Sequence, residues 1–215
     1  LEISAMRARR AEASESNVVL LDAFLRPENC VEIVNAIEAS PAREGKVVRA
    51  GVETLEPAVR VCNEHDVDAN LRERIAETIG GALEAANLPV PGDAIVDGPL
   101  FVSYEPGGFF RSHRDTASHA DDPGIMRSRL WSFVLYLNGR DEIDGLPSYD
   151  GGALVIYDPS LRGPHQRRVV VPEAGLLIFF RSELLHQVMP VREGTRYAAI
   201  GWICANSQSE GKLSP

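Results

Sequence analysis

Apolar residues along this chain follow two rhythms. Up to about residue 90 they recur at helical spacing, and beyond it they come in short runs broken by turn residues. Residues 18–21, Val-Val-Leu-Leu, read as a short strand. After it, Pro27 suits a first helical position, Cys30, Ile33, Val34 and Ile37 repeat at helical spacing, and Pro41 ends the helix. A second helix is predicted over 68–86. Leu71, Ile75, Ile79, Ala82 and Ala86 form its apolar face, Asp68 caps its start, and Asn87 with Pro89 stops it. Gly80-Gly81 either weakens this helix or admits a neighbouring backbone. The later runs predict strands over 95–104, 130–137, 153–157, 169–171, 176–180, 187–189 and 197–203. Pro106-Gly107-Gly108, Asn138-Gly139, Gly151-Gly152, Pro159 and Glu193-Gly194 separate them. Many short strands with turn signals predict a sandwich or barrel, with the helices packed outside one sheet.

Composition narrows the class. A chain of 215 residues that is 44% hydrophobic can bury one large core. The expected organisation is a single domain: a loose arm over 1–16, a strand and helices over 17–96, and a β core over 97–206. A net charge of −9 disfavours binding to phosphate backbones, so no nucleic-acid partner is expected. The basic clusters Arg7-Ala8-Arg9-Arg10 and Arg167-Arg168 read as a solvated terminal segment and a strand edge. Cys30, Cys62 and Cys204 are odd in number and lack C-x-x-C spacing, which fits reduced thiols and a cytoplasmic location. Runs such as 176–180 are too short to span a bilayer, so no membrane partner is expected.

The candidate chemistry lies in His113, Asp115, His186 and Arg196. Two imidazoles and one carboxylate with open positions opposite are the ligand set of non-haem Fe(II) oxygenases. On an extended strand residues i and i+2 share a face, so His113 and Asp115 can address one ion while His186 arrives from a distant strand. A second H-x-D, His119-Ala120-Asp121, competes. It sits in polar loop sequence, whereas His113 follows the aromatics Phe109-Phe110 close behind an apolar strand. Ligands need rigid support, which favours His113 and Asp115. Arg196 opens the last strand, where a buried cation needs a partner. That partner is either a protein Asp or Glu or the far carboxylate of a bound 2-oxo acid, held by the forked guanidinium.

These residues sit within an ordered series. It runs Tyr104…Gly107-Gly108-Phe109-Phe110…His113-x-Asp115, then Leu135-Tyr136-Leu137-Asn138, then Gly151-Gly152-Ala153-Leu154. It continues through Pro172…Gly175-x-Leu177-x-Phe179-Phe180, Leu185-His186-x-Val188-x-Pro190-Val191 and Gly194-Thr195-Arg196-Tyr197-Ala198…Trp202. Over roughly residues 98–204 it resembles the Fe(II)/2-oxoglutarate-dependent dioxygenases, in their prolyl 4-hydroxylase-like branch. The resemblance implies a mainly β fold with flanking helices around a double-stranded β-helix (jelly-roll) core. It implies His113, Asp115 and His186 as iron ligands and Arg196 as the anchor of the 2-oxoglutarate C5 carboxylate. Tyr136 and Tyr104 are implied as further cosubstrate contacts, and Arg129, Trp131 and Trp202 as neighbours of the prime substrate. Fe(II), 2-oxoglutarate and O2, with ascorbate as a reductant, are the implied cofactors. The expected reaction is hydroxylation of an unactivated C–H with release of succinate and CO2. The expected substrate is a peptidyl residue, with a free amino acid or natural-product intermediate as the alternative. A non-catalytic jelly-roll binding or sensor module is the alternative of another class. The ligand at Asp115 speaks against the halogenating relatives. The run Val191-Arg192-Glu193-Gly194-Thr195-Arg196 lacks the R-x-N-x-T-x-R pattern of nucleic-acid demethylases. The stretches 139–150 and 116–128 are long and polar and are expected to flank the pocket mouth, the first as a substrate lid.

Overall fold

The structure, a computed structural model, describes residues 17–162 and 166–206 together with the backbone of Arg7–Arg9. The rest of the predicted arm over 1–16 lies outside the described residues. Arg7–Arg9 itself is not a loose segment: it forms β1, an edge strand antiparallel to β2 (Val18–Asp22).

Helix α1 (Pro27–Glu38) begins at the proline, and α2 (Ala69–Ala85) begins behind Asp68, whose side chain accepts from the amides of Asn70 and Leu71. The buried faces are those read from the spacing: Cys30, Ile33, Val34 and Ile37 on α1, and Leu71, Ile75, Ile79 and Ala82 on α2. A Cβ at Gly80 would meet only Val96 at 3.8 Å, so no backbone approaches the helix there.

Between the helices lie five short strands that the pattern did not reveal. They are β3 (Ala42–Glu44), β4 (Val47–Arg49), β5 (Val52–Thr54), β6 (Arg60–Val61) and β7 (Asn63–His65). After α2 come β8 (Ile95–Tyr104), β9 (Phe109–His113), the single turn α3 (Gly124–Arg127) and β10 (Arg129–Tyr136). Then follow β11 (Tyr149–Gly151), β12 (Leu154–Tyr157), β13 (Arg167–Val170), β14 (Leu177–Arg181), β15 (Leu185–Val188), β16 (Val191–Gly194) and β17 (Arg196–Cys204). Every run expected after residue 91 overlaps a strand. Strands β9, β11 and β16 are additional.

The strands form an eight-stranded sheet ordered β1-β2-β14-β10-β17-β8-β7-β3 and a five-stranded sheet ordered β13-β12-β15-β9-β6. Pairing throughout is antiparallel, and the sequence-distant neighbours are those of a jelly-roll. Alternation along the strands of the large sheet creates two cores. On one face Trp131, Phe133, Leu135, Phe179 and Ala199 pack with α1 and α2. On the other, Val134, Tyr136, Ile178 and Ala198 meet Leu154, Ile156 and Val188 of the small sheet. The candidate site lies in this second, inter-sheet space. Among the described residues no helix is long and apolar enough to cross a membrane.

Candidate metal centre

Strand register brings the two histidines together. His113 on β9 is the direct cross-strand partner of His186 on β15, and their ring centroids are 4.2 Å apart. Asp115 lies past the end of β9, so alternation along a strand does not aim it. Its amide instead donates to the Ser182 carbonyl at 3.0 Å. The ligand atoms of His113, Asp115 and His186 all lie within 4.8 Å of one another, and no other such group occurs among the described residues. The competing His119 sits in loop 116–128, where Asp122 accepts from its backbone amide at 2.8 Å.

The backbone sets the tautomers. His113 Nδ1 contacts the Arg111 carbonyl at 2.8 Å, and His186 Nδ1 contacts the Leu184 carbonyl at 2.9 Å. A carbonyl can only accept, so each Nδ1 carries the hydrogen and each Nε2 keeps its lone pair. Those Nε2 atoms face Asp115, at 3.5 Å from Oδ1 for His113 and 3.6 Å from Oδ2 for His186. Phe110 stacks on His113 at 3.6 Å and Phe180 meets His186 edge-on at 4.7 Å, which limits ring rotation. Burial is the main cause that pushes the His186 imidazole down to about 4, with the Asp115 charge opposing it. Burial works against the Asp115 charge, yet His186, His113 and a hydroxyl from Ser132 together hold its carboxyl well below the usual range. At neutral pH His186 is therefore neutral and Asp115 ionised, as ligation of a divalent metal requires of them.

Arg196 enters the same space from β17. It is only 1% exposed, and its direct cross-strand partner is Tyr104 on β8. The alternative partner, a protein carboxylate, is not found: Nε and Nη1 have no acceptor among the described residues. The groups that sustain its charge against burial are Tyr136, Tyr149 and Tyr104. Its guanidinium carbon lies 4.9 Å from the Tyr104 ring and 5.1 Å from the Tyr136 ring. The Tyr136 and Tyr149 hydroxyls are also buried without partners. Gly152, at φ +58°, leaves room for this arrangement, since a Cβ there would sit 3.1 Å from Arg196 Cδ and 3.2 Å from Tyr149 Cε2. The result is a buried cluster of hydrogen-bond donors lacking acceptors, which a carboxylate would satisfy. A cavity of about 90 Å3 joins this end to the histidines, its walls including Tyr104, Phe110, Phe180 and Trp202.

The remaining predicted residues divide. Trp202 lines the cavity, and the Arg129 guanidinium stacks over its ring at 3.4 Å. Arg129 also pairs with Asp97 at 3.4 Å and donates to the Asp115 carbonyl at 3.2 Å, bracing the backbone at Asp115. Trp131 does not reach the cavity. It neighbours Ser132, which faces the metal cluster, so alternation turns it into the helix-side core beneath Arg181. The stretch 139–150 does not form a lid over the cavity. Leu146 is buried in the helix-side core, Gly145 lies against Val31 of α1, and Tyr149 reaches Arg196.

Three contributors escaped the sequence reading. Ser132 had a legible signal, as the one polar residue without a ring in an apolar strand. Tyr149 stands two residues before Gly151-Gly152, in a polar stretch whose composition is that of a loop. Arg60 lines the cavity from β6, with Nη1 on Glu64 at 2.8 Å and on the Lys46 carbonyl at 2.7 Å. It had no signal, because β6 is two residues long.

The match to a family model decides the relationship: that of the 2OG-Fe(II) oxygenase superfamily covers residues 99–204. Over that segment the chain is similar to the 2OG-Fe(II) oxygenase superfamily. A PKHD-type hydroxylase of Shewanella sp. (strain ANA-3) is 35% identical over 114 residues, 53% of this chain and 46% of the relative. The chain thus spans about half the length of such Shewanella relatives. A PKHD-type hydroxylase of Synechococcus elongatus is 28% identical over 189 residues, 86% of this chain and 78% of the relative. Among solved structures, a Pseudomonas putida prolyl-4-hydroxylase superposes with a TM-score of 0.61 at 21% identity, covering 89% of this chain and 94% of that one. A Trichoplax adhaerens prolyl hydroxylase in complex with a hypoxia inducible factor peptide fragment gives 0.64 at 18% identity, covering 93% and 87%. At these identities the likeness speaks for the fold alone. The site geometry of this chain fits what the superfamily name implies: a three-ligand set for Fe(II) and an acceptor-seeking basic pocket for 2-oxoglutarate.

Proposed function

We propose that this protein is an Fe(II)- and 2-oxoglutarate-dependent dioxygenase that hydroxylates an unactivated C–H bond of a peptidyl residue. The carrying observation is the convergence of His113, Asp115 and His186, with Arg196, whose Nε and Nη1 lack acceptors among the described residues, deeper between the same two sheets. The two Nε2 atoms and one carboxylate would hold the iron. Bound iron with 2-oxoglutarate and O2 supplies the oxidation of C–H to C–OH, with succinate and CO2 as co-products.

The chain's own groups do the positioning. Arg196, Tyr136 and Tyr149 orient the cosubstrate by its distal carboxylate, and Tyr104 walls the passage towards the metal. Phe110, Phe180 and the buried aliphatic lining exclude water. Trp202 and the Arg129 guanidinium stacked on it form the edge against which the prime substrate lies. A peptidyl substrate is supported by the resemblance to the prolyl 4-hydroxylase-like branch. The peptide-bound Trichoplax neighbour is consistent with it.

The test is succinate release and a +16 Da mass shift in the iron-loaded protein, scored across proline-containing peptides, free amino acids and small metabolites. Hydroxylated peptide is the expected product, and a shift confined to free amino acids would move the substrate to the small-molecule class. Absence of both 2-oxoglutarate binding and turnover in iron-loaded protein would leave a non-catalytic jelly-roll. Arg196→Gln is expected to weaken 2-oxoglutarate binding by about 30-fold or more, the usual loss when one partner of a buried charged pair is truncated.

A further inference from the structure

Asp115 presents two oxygens, and the protein treats them differently. Each faces a histidine, Oδ1 with His113 Nε2 at 3.5 Å and Oδ2 with His186 Nε2 at 3.6 Å, but Oδ2 also accepts a 2.6 Å hydrogen bond from Ser132 Oγ. Ser132 Oγ in turn lies 3.0 Å from Ser182 Oγ. Direction follows from chemistry. An ionised carboxylate has no hydrogen to give, so the Ser132 hydroxyl donates to Asp115 and the Ser182 hydroxyl donates to Ser132. Ser182 grips the same aspartate a second way, since its carbonyl accepts the Asp115 amide at 3.0 Å. It is itself fixed by donating its amide to the Leu130 carbonyl at 3.2 Å.

Both serines are enclosed, Ser132 at 2% exposure and Ser182 at 0%. Ser132 interrupts the run Leu130-Trp131-Ser132-Phe133-Val134-Leu135, where a hydroxyl costs stability unless it is bonded. Any apolar residue of similar size would satisfy the inter-sheet core equally well. What a hydroxyl adds here is a hold on one oxygen of the acidic ligand.

We propose that Ser132 and Ser182 are positioning residues that make Asp115 a one-oxygen metal ligand. Ser132 occupies Oδ2 and leaves Oδ1 for the metal, and Ser182 orients the Ser132 hydrogen. A carboxylate released from this hold can turn and offer both oxygens, consuming a coordination position that the cosubstrate or dioxygen needs. The proposal rests on the metal-centre reading above and concerns only how the aspartate is held.

Cobalt(II) titration of the metal-free full chain tests it, followed by visible ligand-field absorption. Ser132→Ala is expected to weaken Co(II) binding by about 10- to 100-fold, the usual cost of losing a partner of a ligand. It should also change the band positions and intensities, which report coordination number. Ser132→Thr keeps the hydroxyl and restores both affinity and spectrum. Ser182→Ala leaves every metal-facing atom in place and changes the bands in the same sense, with a loss of about fivefold, one net hydrogen bond. Thermal melting of the metal-free variants separates misfolding from misplacement of the ligand. Wild-type affinity and bands in Ser132→Ala overturn the proposal. So does a loss that Ser132→Thr fails to restore. Failure of the wild-type chain to bind Co(II) or Fe(II) overturns the metal-centre reading itself, and is told apart because it occurs before any substitution.

Discussion

His113 and His119 open two H-x-D patterns six positions apart in sequence, and only one of them is built into a site. The difference lies in what each ring touches. His113 stacks on Phe110, is pinned through Nδ1 and faces His186 across the sheet, whereas His119 sits in a polar loop. His113→Ala is therefore expected to abolish stoichiometric Fe(II) or Co(II) binding, and His119→Ala to leave it within about twofold, surface substitutions being near neutral; equilibrium dialysis measures both. Tyr149 shows the opposite case, a residue whose part is invisible in its neighbours along the chain. Its hydroxyl is buried without a partner beside Arg196, and burial pushes the phenol well above its ordinary value, so it stays a donor. Tyr149→Phe is expected to weaken 2-oxoglutarate by about 10- to 100-fold, in line with one hydrogen bond to a charged group. It should leave 2-oxobutyrate, which lacks the distal carboxylate, unaffected. Calorimetry with the two acids checks the difference.

At the scale of elements, legibility followed the source of each element's stability. Helices α1 and α2 carry their own instructions in caps and apolar spacing, and both appeared within a residue or two of their expected bounds. Strands β3 to β7 carry almost none: stretches such as Ala42–Glu44 and Asn63–His65 are polar and become strands because they pair with each other and with β8. Loop 116–128 is likewise organised by tertiary contact. The Asp122 carboxylate accepts from the amides of Ser118 and His119 at 2.8 Å each and from Gly51 at 3.2 Å, tying the loop to the β4–β5 hairpin. The His119 and Ser118 amides are the main causes that hold the Asp122 carboxyl below its ordinary value. A lowered folded-state value means the tie is present above the ordinary carboxyl range and is lost as pH falls through the lowered one. Asp122→Ala is expected to speed amide hydrogen exchange in 47–54 and 116–122 at neutral pH while leaving β10 and β17 protected. The wild-type segments should loosen in the same way only on acidification.

Across the whole molecule, one large sheet separates two cores with different tasks: α1 and α2 seal its outer face, and its inner face shares the site with the small sheet. Ligands that bind only the folded chain should stabilise it. With metal and 2-oxoglutarate at about 100 times their dissociation constants, linkage contributes about 2.7 kcal/mol per independent site. That corresponds to a rise in Tm of about 5–10 °C for a domain of this size. Scanning calorimetry is expected to show this rise in the wild-type chain and to lose the cosubstrate increment in Arg196→Gln. Read alone, the sequence determined the β class and the two helices and singled out His113, Asp115, His186 and Arg196 as candidates, because local spacing and the chemistry of side chains carry that information. Only the tertiary structure decided that Trp131 faces the helices, that 139–150 sends Tyr149 to Arg196 instead of covering the cavity, and that Ser132 holds Asp115. Those outcomes depend on strand register and on contacts between residues far apart in the chain, which no local pattern records.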